Sequence, residues 1–193
     1  MIKLVRPDCP NPAALAAKNY KHPDNKAALL NASGAKCMYC ESKIRHIDFG
    51  DIEHIKPKAE GLFPELEFDW LNLGIACSKC NNQKKDKFDR AAPFIDPYSE
   101  DPEDHIMALG SYLAQRNGSV RGEITIREID LNRPELLEKR LKRVDDLLTA
   151  LNAANRTNVA ILRQAALAQI EIEAGPAYEY SLIAKAVLKT NAR

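Results

Sequence analysis

Two Cys-x-x-Cys pairs, Cys37/Cys40 and Cys77/Cys80, bracket the one stretch of this chain whose residue types and spacing can do chemistry. Four thiolates arranged as two pairs can close a tetrahedral zinc site and leave the metal no open position, which is the structural arrangement. The reactive groups must then be what the zinc pins in place. Between the pairs lies Asp51-Ile52-Glu53-His54-Ile55-Lys56-Pro57, two carboxylates and an imidazole, and directly after the second pair comes Asn81-Asn82-Gln83-Lys84-Lys85.

Local signals indicate which elements would position these groups. Ile52 and Ile55, both β-branched, predict a short strand over 52–55 ended by Pro57. A regular strand would turn Glu53 and His54 to opposite faces, so a strand end or a bulge is needed to bring them to one substrate. Residues 59–69, with Gly61 and Pro64, read as a loop, and Trp70 as core filling. A short helix is expected over 81–88. Upstream, three prolines in residues 1–12 suggest an extended arm. Short helices are expected over 13–19, capped by Asn11 with Pro12 at the first helical position, and over 24–31. Residues 93–104 form an acidic, proline-rich connector, and Glu123-Ile124-Thr125-Ile126-Arg127 alternates like a strand after a Gly118/Gly122 turn. From Pro134 the apolar period becomes helical through Leu137, Leu141, Val144, Leu148 and Leu151, with Asn132 as the cap. Further helices are expected over 157–174 and 178–188. The chain thus divides into 1–35, an arm with short helices; 36–98, the core around the cysteines; 99–133, a connector with short strands; and 134–193, an α-helical extension. The fold class is α+β.

Composition narrows the partners. The formal net charge is +1, so a whole-protein field attractive to polyanions is excluded. The sign is uneven: residues 1–35 sum to +3, 36–90 to zero, 91–130 to −5 and 131–193 to +3. Any phosphate-binding surface is therefore local. The apolar N-terminal stretch is too short for a signal peptide and no run approaches a membrane span, so a cytoplasmic, non-membrane protein is expected. Reduced paired thiols there bind metal more often than they form disulfides. Cys9 is left over as an ordinary thiol, and His46 and His105 have no partner that the sequence names.

The series Cys37-x-x-Cys40, Glu53-His54-Ile55-x-Pro57, Asn72-Leu73, Cys77-x-x-Cys80-Asn81-x-x-Lys84 resembles the motif of HNH endonucleases. The resemblance implies a zinc-stapled ββα-metal core and a metal-dependent nuclease. It makes His54 the general base that activates water, Glu53 a ligand of the catalytic metal, Asn72 the residue that holds the His-bearing loop, and Asn81 a second metal ligand. Glu53 stands where Asp is usual and Asn81 where His is usual. Both are oxygen donors and suit Mg2+ or Mn2+ beside the structural Zn2+. Asp51 reads equally as a turn-capping carboxylate or as a further ligand. Hydrolysis of a phosphodiester needs a base for water and a cation on the phosphate oxygens, and these groups supply both. Lys84, Lys85, Lys87 and Arg90 would hold backbone phosphates, unless they are simply a solvated helix face.

A wider set of motifs resembles the HNH subunits of Septu-type anti-phage defence systems, which also occur with some retrons. It comprises Ile2-x-Leu4-x-Arg6-Pro7, Asp51-Ile52-Glu53-His54-x-x-Pro57-Lys58, Cys80-Asn81-x-x-Lys84-Lys85-x-Lys87-Phe88, the Asp96-Pro97 and Asp101-Pro102 pairs before His105-Ile106, and Leu131-Asn132-Arg133. That resemblance implies a partner ATPase of the ABC or SMC kind and a nucleic-acid substrate, DNA before RNA, with tRNA as the RNA to test. The competing reading is a zinc-knuckle module that binds nucleic acid, or serves as an adaptor, without cutting.

Overall fold

The computed structural model describes residues 1–44 and 50–191; His46 lies outside them. In the N-terminal arm, α1 (Pro12–Ala16) starts at Asn11, whose side chain accepts the Ala14 N–H, and stops at Lys18 in the left-handed region (φ 59°). The Asn19 N–H returns to the Ala14 carbonyl at 2.8 Å and the Lys18 N–H to Leu15 at 2.9 Å, the paired bonds of a Schellman stop. That stop makes α1 shorter than the 13–19 expected from sequence. Helix α2 (Pro23–Ala32) follows, and its buried Asn25 clamps the backbone N–H and carbonyl of Asn11.

Strand β1 (Asp51–His54) pairs antiparallel with β2 (Leu73–Ala76), Glu53 opposite Gly74 and His54 opposite Leu73. A Cβ on Gly74 would lie 2.3 Å from Met38 Sδ, so glycine leaves the room that the Met38 side chain of the first Cys-x-x-Cys turn fills against the sheet. Helix α3 (Ser78–Lys84) begins three residues earlier than the spacing predicted and ends where Lys85 takes φ 48°. Cys80 and Lys84, one turn apart, therefore share its inward face.

Two expectations downstream fail. Residues 123–127 are not a strand but part of helix α4 (Val120–Glu128), capped by Ser119, whose hydroxyl accepts the Gly122 N–H. The hairpin lies earlier, in β3 (Ile106–Leu109) and β4 (Tyr112–Gln115). Asn132 does not cap the next helix. Its amide grips the backbone of Leu113 in β4 from both sides, at 2.9 and 2.8 Å, and Arg133 takes the cap position of α5 (Pro134–Asn155).

Helices α6 (Ala160–Glu173) and α7 (Ser181–Asn191) pack with the later half of α5 around Leu147, Leu151, Ile170 and Val187. A larger core joins Met1, Leu4, Tyr39, Ile75, Ile106 and Leu113 to Leu136, Leu182 and Ile183, drawing on every quarter of the chain. Buried Lys36 ties the turn before α7 to the cysteines, donating to the carbonyls of Pro176 and Tyr178. Among the described residues, no helix is long and apolar enough to cross a membrane.

Candidate functional site

The four cysteine Sγ atoms lie within 4.8 Å of one another, all buried. Cys40 and Cys77 are 3.9 Å apart, close to the ~3.8 Å edge of a tetrahedron with Zn–S bonds of about 2.3 Å. The donor set fits zinc. Arg133 Nη1 donates to Cys80 Sγ at 3.6 Å. Burial works against the Arg133 guanidinium, yet the thiolates of Cys80 and Cys40 hold its pKa above the ordinary value. Arg140, 2% exposed, is likewise inward, donating to the Leu131 carbonyl at 2.7 Å. It is therefore not part of any basic outer face of α5. In Leu131-Asn132-Arg133, one residue is core, the next fastens β4, and the third reaches the zinc ligands.

Beside the cysteines, β1 and the start of α3 form one wall of a cleft of roughly 230 Å³ lined by Asp51, Glu53, His54, Asn81 and Lys85. The pairing of β1 with β2 is regular to its last residue, His54. A strand end, not a bulge, brings Glu53 and His54 to the same cleft. His54 Nε2 lies 3.0 Å from the Glu67 carbonyl. A carbonyl only accepts, so Nε2 carries the hydrogen and Nδ1 is the unprotonated nitrogen. Burial keeps the imidazole below its ordinary pKa. The loop that supplies Glu67 is held by Asn72, whose amide accepts the Lys56 N–H at 2.8 Å and donates to the carbonyls of Lys56 and Leu66. The Arg6 guanidinium fixes the same corner from the arm, bonding the carbonyls of Trp70 and Leu73 and lying over Tyr98.

The two carboxylates differ. Asp51 Oδ2 accepts from Asn81 Nδ2 at 3.2 Å, so these two oxygen-bearing side chains stand together. Glu53 is 3% exposed; its Oε1 accepts from Lys84 Nζ at 2.6 Å and from Tyr39 Oη at 3.3 Å. Burial raises its pKa.

Of the four cations expected on phosphates, only Lys85 lines the cleft. Lys84 points inward, 1% exposed, giving its ammonium to Glu53 and to the His54 carbonyl. It has no surface to offer a phosphate. Lys87 pairs with Glu128 at 3.1 Å, and Arg90 lies over the Phe63 ring. The cleft's other cations, Lys21 and Lys58, come with Tyr20 from segments that sequence reading left unassigned. Only the Pro57-Lys58 motif could have pointed to one of them. His105, left without a partner on the sequence, bonds Ser119 and Glu100 and lies outside the cleft.

The HNH endonuclease family model matches residues 37–87. Over 99% of its length the chain is 29% identical to the Septu protein PtuB of Bacillus thuringiensis, covering 83% of that protein. It is 31% identical to the Septu protein PtuB of Bacillus mycoides, over 66% of this chain and 53% of that one. A candidate HNH endonuclease of retron Vc95 from Vibrio cholerae is 31% identical, over 65% of each.

Proposed function

We propose, from the match of residues 37–87 to the HNH endonuclease family model, that the chain is the nuclease of an anti-phage defence complex, hydrolysing phosphodiester bonds of DNA. We read β1, β2 and α3 as the ββα-metal arrangement. The observation that carries the reading is the His54 imidazole, bound at Nε2 by the Glu67 carbonyl, in one cleft with Asp51, Glu53 and Asn81. His54 Nδ1 takes the proton from the attacking water. Asn72 keeps the loop of Glu67 in register, so the imidazole meets the water in one orientation. Asp51 and Asn81 are the paired oxygen donors for Mg2+ or Mn2+, with Glu53 as the third. When bound, that ion withdraws charge from the phosphate oxygens. Lys85 and Lys21 steady the flanking backbone without reading sequence.

The partner we propose is an ATPase encoded with it, in the cytoplasm, where the zinc thiolates stay reduced. Its contact surface would be the C-terminal helices, where Ile161 is 73% and Leu162 59% exposed on α6. Removing residues 134–193 would strip Leu136, Leu182 and Ile183 from the main core. The contact is therefore better tested by Ile161→Asp with Leu162→Asp, which should abolish co-purification of the ATPase from a strain expressing both proteins and leave the nuclease folded.

The reading as a whole is tested with His54→Ala. This variant should keep its zinc and its fold while losing Mn2+- or Mg2+-dependent cleavage of plasmid DNA, with tRNA assayed in parallel. Cleavage at the wild-type rate would move the active site elsewhere.

A further inference from the structure

We propose that Tyr20, from the N-terminal arm, is a positioning residue for the His54 imidazole. Three residues, Tyr20, Lys58 and Glu67, close a ring with that imidazole. The edge of the Tyr20 ring meets the His54 ring with centroids 4.8 Å apart and planes at 75°. Tyr20 Oη accepts from Lys58 Nζ at 3.1 Å, and the same ammonium pairs with Glu67 Oε1 at 2.5 Å. The Glu67 backbone carbonyl returns to His54 Nε2 at 3.0 Å.

Each contact does something that the others do not. The bond to the Glu67 carbonyl fixes the direction of Nε2 but leaves the imidazole able to tilt about it. The Tyr20 ring lies against the imidazole and blocks that tilt. Lys58 joins the two restraints, because one ammonium holds both the Tyr20 hydroxyl and the Glu67 carboxylate. Tyr20 reaches this place through the Schellman stop of α1, where the positive φ of Lys18 turns the chain toward the cleft. The working site therefore extends outside residues 37–87, into a segment whose sequence carries no catalytic signature.

The inference rests on His54 being the general base, and the experiment separates the two. Full-length, zinc-loaded Tyr20→Ala, Tyr20→Phe and His54→Ala proteins are compared with wild type for kcat and KM on one DNA substrate at saturating Mn2+. Misplacing a reacting group by about an ångström costs on the order of 100-fold in rate. Tyr20→Ala should therefore lose roughly 10- to 100-fold in kcat, with KM, zinc content and melting temperature nearly unchanged. Tyr20→Phe keeps the ring and should recover to within about threefold of wild type by the same argument. In a 15N spectrum the His54 ring should show the Nε2–H tautomer set by the Glu67 carbonyl in both proteins, with signals broadened by ring motion in Tyr20→Ala.

If His54→Ala still cuts, the assignment of the base fails. If His54→Ala is dead and Tyr20→Ala turns over at the wild-type kcat, the positioning role alone is overturned. A loss confined to KM overturns it too, since Tyr20 would then be touching substrate. Should Tyr20→Ala lose zinc or unfold, Tyr20→Leu decides by the same kcat criterion.

Discussion

The ammonium of Lys84 sits 2.6 Å from Glu53 Oε1, and both side chains are buried, at 1% and 3% exposure. The pair joins α3 to the middle of β1. Leaving one buried charge without its partner costs about 3–5 kcal/mol, whereas removing both is often nearly neutral. Lys84→Met should therefore destabilise the zinc-loaded protein by that order, and Glu53→Gln with Lys84→Met should recover much of the loss. Urea unfolding of the two variants measures both.

Zinc removal should unfold the core, because the binding free energy of such a site is also folding free energy. Cys80→Ser is expected to purify without zinc and to lose its helical circular dichroism cooperatively. Arg133→Gln keeps all four thiolates but removes the donor to Cys80 Sγ. It should weaken zinc by roughly tenfold or more, as outer-sphere substitutions do, in competition with a chelator.

Much of the site is legible in the sequence. The cysteine spacing, the Glu53-His54 strand and the long α5 rest on local periodicity, which sequence carries directly. The expectations that fail at α4 and Asn132 fail through contacts distant in sequence. Ile124 and Ile126 alternate well enough for a strand, but Gly122 lets α4 approach the His105 carbonyl so closely that an added Cβ would lie 2.2 Å from its oxygen. Asn132 looked like a helix cap because it precedes Pro134, yet its amide is taken by Leu113, far back in the chain. The basic run Lys84-Lys85-x-Lys87 reads as a phosphate-facing or solvated helix face, yet Lys84 turns inward because it shares a helix face with Cys80. Nothing local to Tyr20 marks it as a neighbour of His54.

Asn81→Ala should act through the metal. It removes one of the two side chains that stand together at the cleft, 3.2 Å apart. The Mn2+ concentration for half-maximal cleavage should rise by about tenfold or more, with kcat partly recovered at saturation. Asp51→Asn should behave the same way if Asp51 is a ligand, and like wild type if it is a bystander.

Glu100 supplies a pH dependence away from the cleft. Its carboxylate takes a two-pronged bond from Arg121, at 2.7 and 2.5 Å, and a contact from His105. Burial alone would raise its pKa, but Arg121 wins and holds it below the ordinary glutamate value of 4.5. The stability it contributes is thus fully present above about pH 4.5 and is lost as pH falls through the lower folded value. Glu100→Gln should be less stable than wild type at pH 7, and the gap should close in acid unfolding curves below pH 4.5.

Arg133 and Arg140 have one more effect, which reaches beyond the metal they flank. Four thiolates around a single divalent ion leave two negative charges, a dianion set next to a cleft meant for a polyanion. Two inward guanidiniums, Arg133 on Cys80 Sγ and Arg140 about two turns along α5, where it feels the Cys40 thiolate, bring that sum to zero. The staple is then electrically silent toward an approaching phosphate chain. With the protein nearly neutral overall, the potential at the cleft is set by its own lining, Lys21 and Lys85 against Asp51 and Asp86, with Lys58 held by Glu67.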